Sequence, residues 1–246
     1  MATATRIDEL LRCFPFLADQ PEDLLQRLSA EAQLQRFDQG QPICRVDHPP
    51  SRIFFLLEGT ARSVVFSSRL SRGVSTLERL QPGTVLGWTL LSCGRCWETL
   101  IASTDLVVVA LPHESLQREM ERHPALAERV QRSVSPAELF GVLAAHLQDY
   151  PRALSKEVVE AANGLAESTV AFTWTPAEPA AFADSAERLW LVAAGPLPLG
   201  QAVVGTELTA SQDPIRVLGV DRQRLATILE PPAPDQAEQI LALPGR

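Results

Sequence analysis

Cys93-Gly94-Arg95-Cys96 is the first stretch of the chain whose residue types could do chemistry. A zinc site would need a second ligand pair, and Cys13 and Cys44 stand far off in sequence without metal spacing. A dithiol redox centre would sit at a helix start after a strand in a thioredoxin-like unit, a setting this stretch lacks. The spacing therefore reads as two separate thiols, with a regulatory Cys93–Cys96 disulfide as the alternative. His48, His113, His123 and His146 do not cluster, and no His-x-His metal pair falls in a strand pattern. No nucleophile, base and acid come together by spacing. Neither a metal nor a cofactor is expected, and the chain reads as non-enzymatic.

The elements that must carry these residues follow from composition and periodicity. The chain has 246 residues, 46% hydrophobic and 21% charged, enough for one large domain or two small ones and too apolar for disorder. Its formal charge of −8 repels phosphate backbones and anionic lipid at the level of the whole molecule. The longest uncharged stretch, Leu189–Thr206, is broken by Gly195, Pro196, Pro198, Gly200 and Gly205, so no membrane span is expected. Asp8 and Glu9 interrupt the N-terminus before a secretory apolar core could form, and the chain is expected to be cytoplasmic with reduced thiols. Leu10 to Leu28 has helical spacing, with Pro21-Glu22-Asp23 suited to a first turn. From Leu34 to Leu111 short apolar runs are cut by turn residues: Ile53–Leu57 before Glu58-Gly59, Ser63–Phe66, Thr84–Gly87 after Gln81-Pro82-Gly83, and Leu106–Leu111. Helical spacing returns over His113–Val130, broken at Pro124, and over Ala137–Leu147.

Helix, compact β-roll, helix in this order, over residues 10–130, resembles a cyclic-nucleotide-binding domain of the catabolite-activator type. The landmarks are Phe14, Phe16 and Leu17, then Phe37, Gly40 and Ile43, the strand Ile53–Gly59, the turn and strand Leu80–Gly87, Ala102-Ser103-Thr104, the strand Val107–Leu111, and the helix through His123-Pro124. The resemblance implies an α+β fold, a double-stranded β-helix or jelly roll flanked by helices. It also implies a phosphate site, in which helix-start N–H groups hold the anion, an arginine forks onto its oxygens and a carboxylate takes the ribose hydroxyl. Carried over residue by residue, Gly87 is kept, Trp88 stands at the carboxylate position, Cys96 at the arginine position, and Thr99 and Leu100 at the Thr-Val positions. Arg95 is one residue away, but Glu98 would then oppose a bound phosphate. Trp88 offers a flat apolar surface, and is expected to plug the vestigial pocket as core rather than serve as a ligand platform. The remnant pocket is thus Gly87, Trp88, Arg95, Cys96, Glu98 and Thr99, and a cyclic nucleotide is not its expected ligand.

In catabolite-activator-type regulators a helix-turn-helix follows, and Leu154–Val170 invites that reading. Glu160 and Asn163 fall where the motif wants small and apolar residues, and Glu167 stands in a recognition segment that has no Arg or Lys. From Pro151 onward there are 7 basic and 12 acidic residues, a poor balance for reading DNA. A repeat explains the same residues better. A shift of 136 lays Ser51–Gly59 on Glu187–Gly195 and the Pro21 helix on Glu157; after a shortening by 27 residues, a shift of 109 lays Leu106–Leu111 on Ile215–Val220. The expected organisation is a cyclic-nucleotide-binding-like domain over 1–149, a second, shortened β-roll-like α+β unit over 150–230, and a Pro-rich linker over 231–246. Two such units with degraded loops and a Pro-rich exit resemble the cytosolic N-terminal regulatory region of bacterial peptidase-containing ABC exporters. The resemblance implies a regulatory or sensory module acting through a protein partner, the transporter domains of a longer parent chain, or a small-molecule ligand. Nucleic acid is not an expected partner, and membrane contact would come through a partner. The alternative is a transcription regulator binding a cyclic nucleotide and DNA.

Overall fold

The computed structural model describes residues 7–66, 74–148, 155–175, 187–203 and 212–229; the expected linker 231–246 lies outside them. By internal contacts the chain forms two compact units, Met1–Val65 with Ser75–Gln131, and Phe66–Val74 with Arg132–Arg246. The division after Gln131 falls earlier than the expected 149/150 boundary.

The first unit is α+β and built around a roll of two antiparallel sheets. One has the order β1 (Gln33–Phe37), β8 (Leu106–Pro112), β3 (Arg52–Glu58), β6 (Val85–Leu86); the other has β2 (Pro42–Cys44), β7 (Thr99–Ala102), β4 (Ala61–Phe66), β5 (Val74–Leu80). Strand alternation sorts the side chains of β3 and β8 to two faces. Phe54, Leu56, Val108 and Ala110 meet Cys44, Ala61, Leu80, Leu100 and Ala102 inside the roll. Ile53, Phe55, Val109 and Leu111 face the other way, onto Leu11 of α1 (Ile7–Arg12) and Leu24, Leu25 and Leu28 of α2 (Glu22–Glu31). The same outer core takes Leu116 and Met120 from α4 (His113–Arg122) and Leu126 and Val130 from α5 (Pro124–Arg132), which are separate helices because Pro124 interrupts the run. Arg27 of α2 clamps Glu119 of α4 with two hydrogen bonds of 2.9 and 2.7 Å, and this holds the carboxyl below its ordinary range. The strand Val74–Leu80 was not among the expected runs; its buried positions are Leu77 and Leu80.

The second unit has α6 (Pro136–His146), α7 (Ser155–Leu165), β9 (Val170–Trp174), β10 (Arg188–Ala194), β11 (Ile215–Asp221) and α8 (Arg222–Ile228). Pro136 and the Ser135 hydroxyl, which accepts from the Glu138 N–H at 3.0 Å, start α6. The three strands form an antiparallel sheet in the order β10-β11-β9. Residues 170–174, where a recognition helix would have to continue, are strand, so no helix-turn-helix forms there.

This sheet repeats β1-β8-β3 of the first unit: in both, the last strand lies between the first two. The register agrees as well. Arg52 pairs with Pro112 and Arg188 with Asp221, and each ladder shifts at the same point, between Leu56 and Glu58 in one and between Val192 and Ala194 in the other. Those bulges are superposed by the shift of 136. Gly59 and Gly195, which end the paired strands, both have positive φ, 83° and 125°. The difference lies in the connection. Forty-seven residues join β3 to β8 and hold β4, β5 and β7, three of the four strands of the second sheet, whereas 20 residues join β10 to β11. Among the described residues the second unit has a single sheet, a half-roll by comparison with the two sheets of the first.

Candidate ligand pocket

The segment between β6 and β7 is built from two left-handed glycines and a short helix, α3 (Thr89–Cys93). Gly87, with φ 77°, turns the chain out of β6; Gly94, with φ 65°, ends the helix and donates its N–H to the Leu90 carbonyl at 3.0 Å. Trp88 precedes the helix and packs edge to face on Phe16, ring centroids 5.5 Å apart, against the outer core. It covers helices rather than the roll interior. Arg95 is exposed and stacks its guanidinium 4.7 Å from the Trp97 ring centre. Trp97 in turn donates its indole N–H to Cys93 Sγ at 3.2 Å, and Cys93 donates to the Thr89 carbonyl at 3.1 Å. These contacts fasten the loop to α3 on its outer side.

Cys96 and Glu98 go the other way. Cys96 is buried, its sulfur 4.0 Å from that of Cys44 and 3.3 Å from the Glu98 carbonyl oxygen. Glu98 is also buried, and its carboxyl accepts a 2.6 Å hydrogen bond from the Ser63 hydroxyl on β4. Burial pushes the Glu98 carboxyl up to about 7; the Ser63 bond opposes the rise, and the charge of Glu78 on β5 adds to it. Burial raises Glu78 too. Thr99 is half-buried and pairs with Val64 in the sheet. Of the six expected pocket residues, only Cys96 and Glu98 thus meet on the inner side, Thr99 alternates to the other face of β7, Gly87 shapes the turn, and Trp88 and Arg95 lie elsewhere. Among the described residues no group of three or more His, Cys, Asp or Glu side chains could hold a metal.

Residues 34–123 match the family described as Cyclic nucleotide-binding domain. Three solved structures are similar in part. A putative cyclic nucleotide-binding protein from Geobacter metallireducens is 22% identical over 50% of this chain and 88% of its own, with a TM-score of 0.42. The sensor domain of the transcriptional regulator DNR from Pseudomonas aeruginosa is 16% identical over 50% and 82%, with a TM-score of 0.45. The N-terminal domain of a transcriptional regulator from Streptomyces coelicolor is 22% identical over 49% and 84%, with a TM-score of 0.41. No curated protein matches.

Within the first unit, Cys44, Ser63 and Glu78 are not signalled as site residues by the local sequence, because each meets the loop across the sheet and not along the chain. The one local irregularity is Ser63, a hydroxyl at an inward position of an otherwise apolar strand face. Arg52 is not signalled either. It starts β3 on the same strand face as Phe54, and its buried Nη1 has no hydrogen-bond partner among the described residues. Arg62 and Arg79 line an open cleft with Gln39, Ser103 and Thr104 and are exposed. No helix among the described residues is long and apolar enough to cross a membrane.

Proposed function

We propose that the chain is a cytoplasmic, non-enzymatic regulatory module of cyclic-nucleotide-binding-like fold whose phosphate site is degraded. One observation carries this reading: where an arginine would pair with a cyclic phosphate there is the buried thiol of Cys96, and beside it the Glu98 carboxyl, bonded to Ser63, occupies the interior. An anion entering there meets a carboxyl group, and losing a desolvated charge-assisted pair costs on the order of several kcal/mol of binding. The module acts through a protein partner or a ligand other than a cyclic nucleotide. Its output is supplied by a separate polypeptide or by the transporter domains of a longer parent chain, in the manner of the exporter regulatory regions it resembles.

Calorimetry with cyclic AMP and cyclic GMP tests the degraded site, and no binding is expected at micromolar concentrations. Micromolar binding abolished by Arg95→Ala would overturn the reading. Retention on duplex DNA at physiological salt, falling steeply as salt rises, would favour a transcription regulator instead.

A further inference from the structure

We propose that Cys44 and Cys96 are a redox modification site, closing a reversible disulfide inside the roll when a hydroperoxide reaches it. The two sulfurs lie 4.0 Å apart, although 52 positions separate them in sequence. A disulfide needs about 2.05 Å between sulfurs, so closure asks each to move by roughly an ångström, within the reach of side-chain rotation. The backbone brings them together: Cys44 ends β2 and pairs with Leu100 of β7, and Cys96 lies on the segment entering β7. Both thiols converge on the Glu98 carbonyl oxygen, at 3.9 and 3.3 Å. The other two cysteines are engaged elsewhere, Cys13 with the Glu9 carbonyl and Cys93 with Thr89 and Trp97. The local Cys-x-x-Cys motif therefore does not define the pair.

The two sulfurs differ in role. The hydrogen bond between them holds the Cys96 thiol below its ordinary range and the Cys44 thiol above it, the latter helped by burial. Cys96, which sits on the segment entering β7 and outside the paired strands while Cys44 is fixed in the β2–β7 ladder, takes the role of nucleophile. Its thiolate attacks an oxygen of the hydroperoxide, the O–O bond breaks, and the departing oxygen takes a proton and leaves as water or alcohol. The sulfenic acid so formed is attacked by the Cys44 sulfur; the S–O bond breaks, the S–S bond forms, and the Cys44 proton leaves with the oxygen as water. Two thiols lose two electrons and two protons, and the peroxide is reduced by the same two electrons. Exchange with a small dithiol reverses the step. The bond would tie β2 to the loop that carries Arg95 and Trp97. It is independent of whether the roll takes a ligand, so its failure and that of the proposed function are separable.

The test treats the full, reduced chain with hydrogen peroxide, then unfolds it, alkylates free thiols and maps the peptides. The expected result is loss of two of the four titratable thiols, a mass lower by two hydrogens, a cross-linked peptide joining Cys44 to Cys96, and full recovery with dithiothreitol. The double variant Cys13→Ser/Cys93→Ser should behave identically. Four free thiols after treatment, a bond joining Cys93 to Cys96, or irreversible oxygen adducts on Cys96 beside a free Cys44 would each overturn the proposal. Cys44→Ser should leave Cys96 as a trappable sulfenic acid, and the map of the natural chain decides alone if that variant does not fold.

Discussion

Ser63 donates a 2.6 Å hydrogen bond to the carboxyl of Glu98, and both residues are buried within the roll. With the Glu98 pKa raised from 4.5 to about 7, the folded state holds a proton that the unfolded chain releases. The stabilisation is complete below about pH 4.5 and is lost as pH rises through 7, a change of about 3 kcal/mol at most. Denaturant unfolding at pH 5.5 and pH 8 should show the natural chain weaker at the higher pH. In Glu98→Gln, which keeps the shape without the charge, this slope should flatten, and equal slopes in the two proteins would refute the assignment. Ser63→Ala should cost about 1–3 kcal/mol, by removing a partner of a buried group.

A second buried pair holds the half-roll. Arg216 of β11 donates to both carboxylate oxygens of Glu138 on α6, at 2.6 and 3.0 Å, and to the Ser133 carbonyl at 2.8 Å. The side chains are 3% and 0% exposed, so neither charge can be rehydrated if its partner is removed. Arg216→Met should therefore destabilise the unit by about 3–5 kcal/mol, whereas Arg216→Met with Glu138→Leu should recover most of the loss. Thermal unfolding of the single and double variants gives the comparison directly.

Local pattern carried much of this architecture. The apolar run Ile53–Leu57 before Glu58-Gly59 and the run Leu106–Leu111 read as strands, and their copies at 188–194 and 215–221 were legible because both repeats keep the alternation of two buried faces. The bulge could be placed only by the ladder, since an unpaired residue has no signature in hydropathy. The site was less legible for the same reason: Cys96 and Glu98 draw their meaning from Cys44 and Ser63 on neighbouring strands. Trp88 was misleading in a different way. It lies at a motif position of the ligand loop, but its half-buried ring packs on Phe16 against the outer core and not into the roll interior.

The paired strand ends make a graded prediction. An added Cβ at Gly59 would stand 2.2 Å from the Asp105 carbonyl oxygen, while one at Gly195 would stand 3.0 Å from that of Pro214. Both positions also carry the left-handed backbone that side chains resist. Gly59→Ala should cost about 2–4 kcal/mol, from strain and overlap together. Gly195→Ala should cost less, because backbone at 3.0 Å can yield by a few tenths of an ångström. Chemical denaturation of the two variants ranks them, and the reverse order would contradict the geometry.

The repeat also explains a pair of residues that looks arbitrary in isolation. The shifts that superpose the strands place Trp190 on Phe54 and Gly219 on Ala110. In the half-roll the larger ring fills the space a methyl would take: a Cβ on Gly219 would meet Trp190 Cζ3 at 2.6 Å. Gly219→Ala alone should overpack the sheet face and cost about 1–3 kcal/mol. Combining it with Trp190→Phe recreates the pair found in the first unit, and the double variant should be more stable than the sum of the two single changes predicts. A double-mutant cycle by urea unfolding measures that coupling. Strict additivity would mean that the two positions no longer share the packing relationship of Phe54 and Ala110.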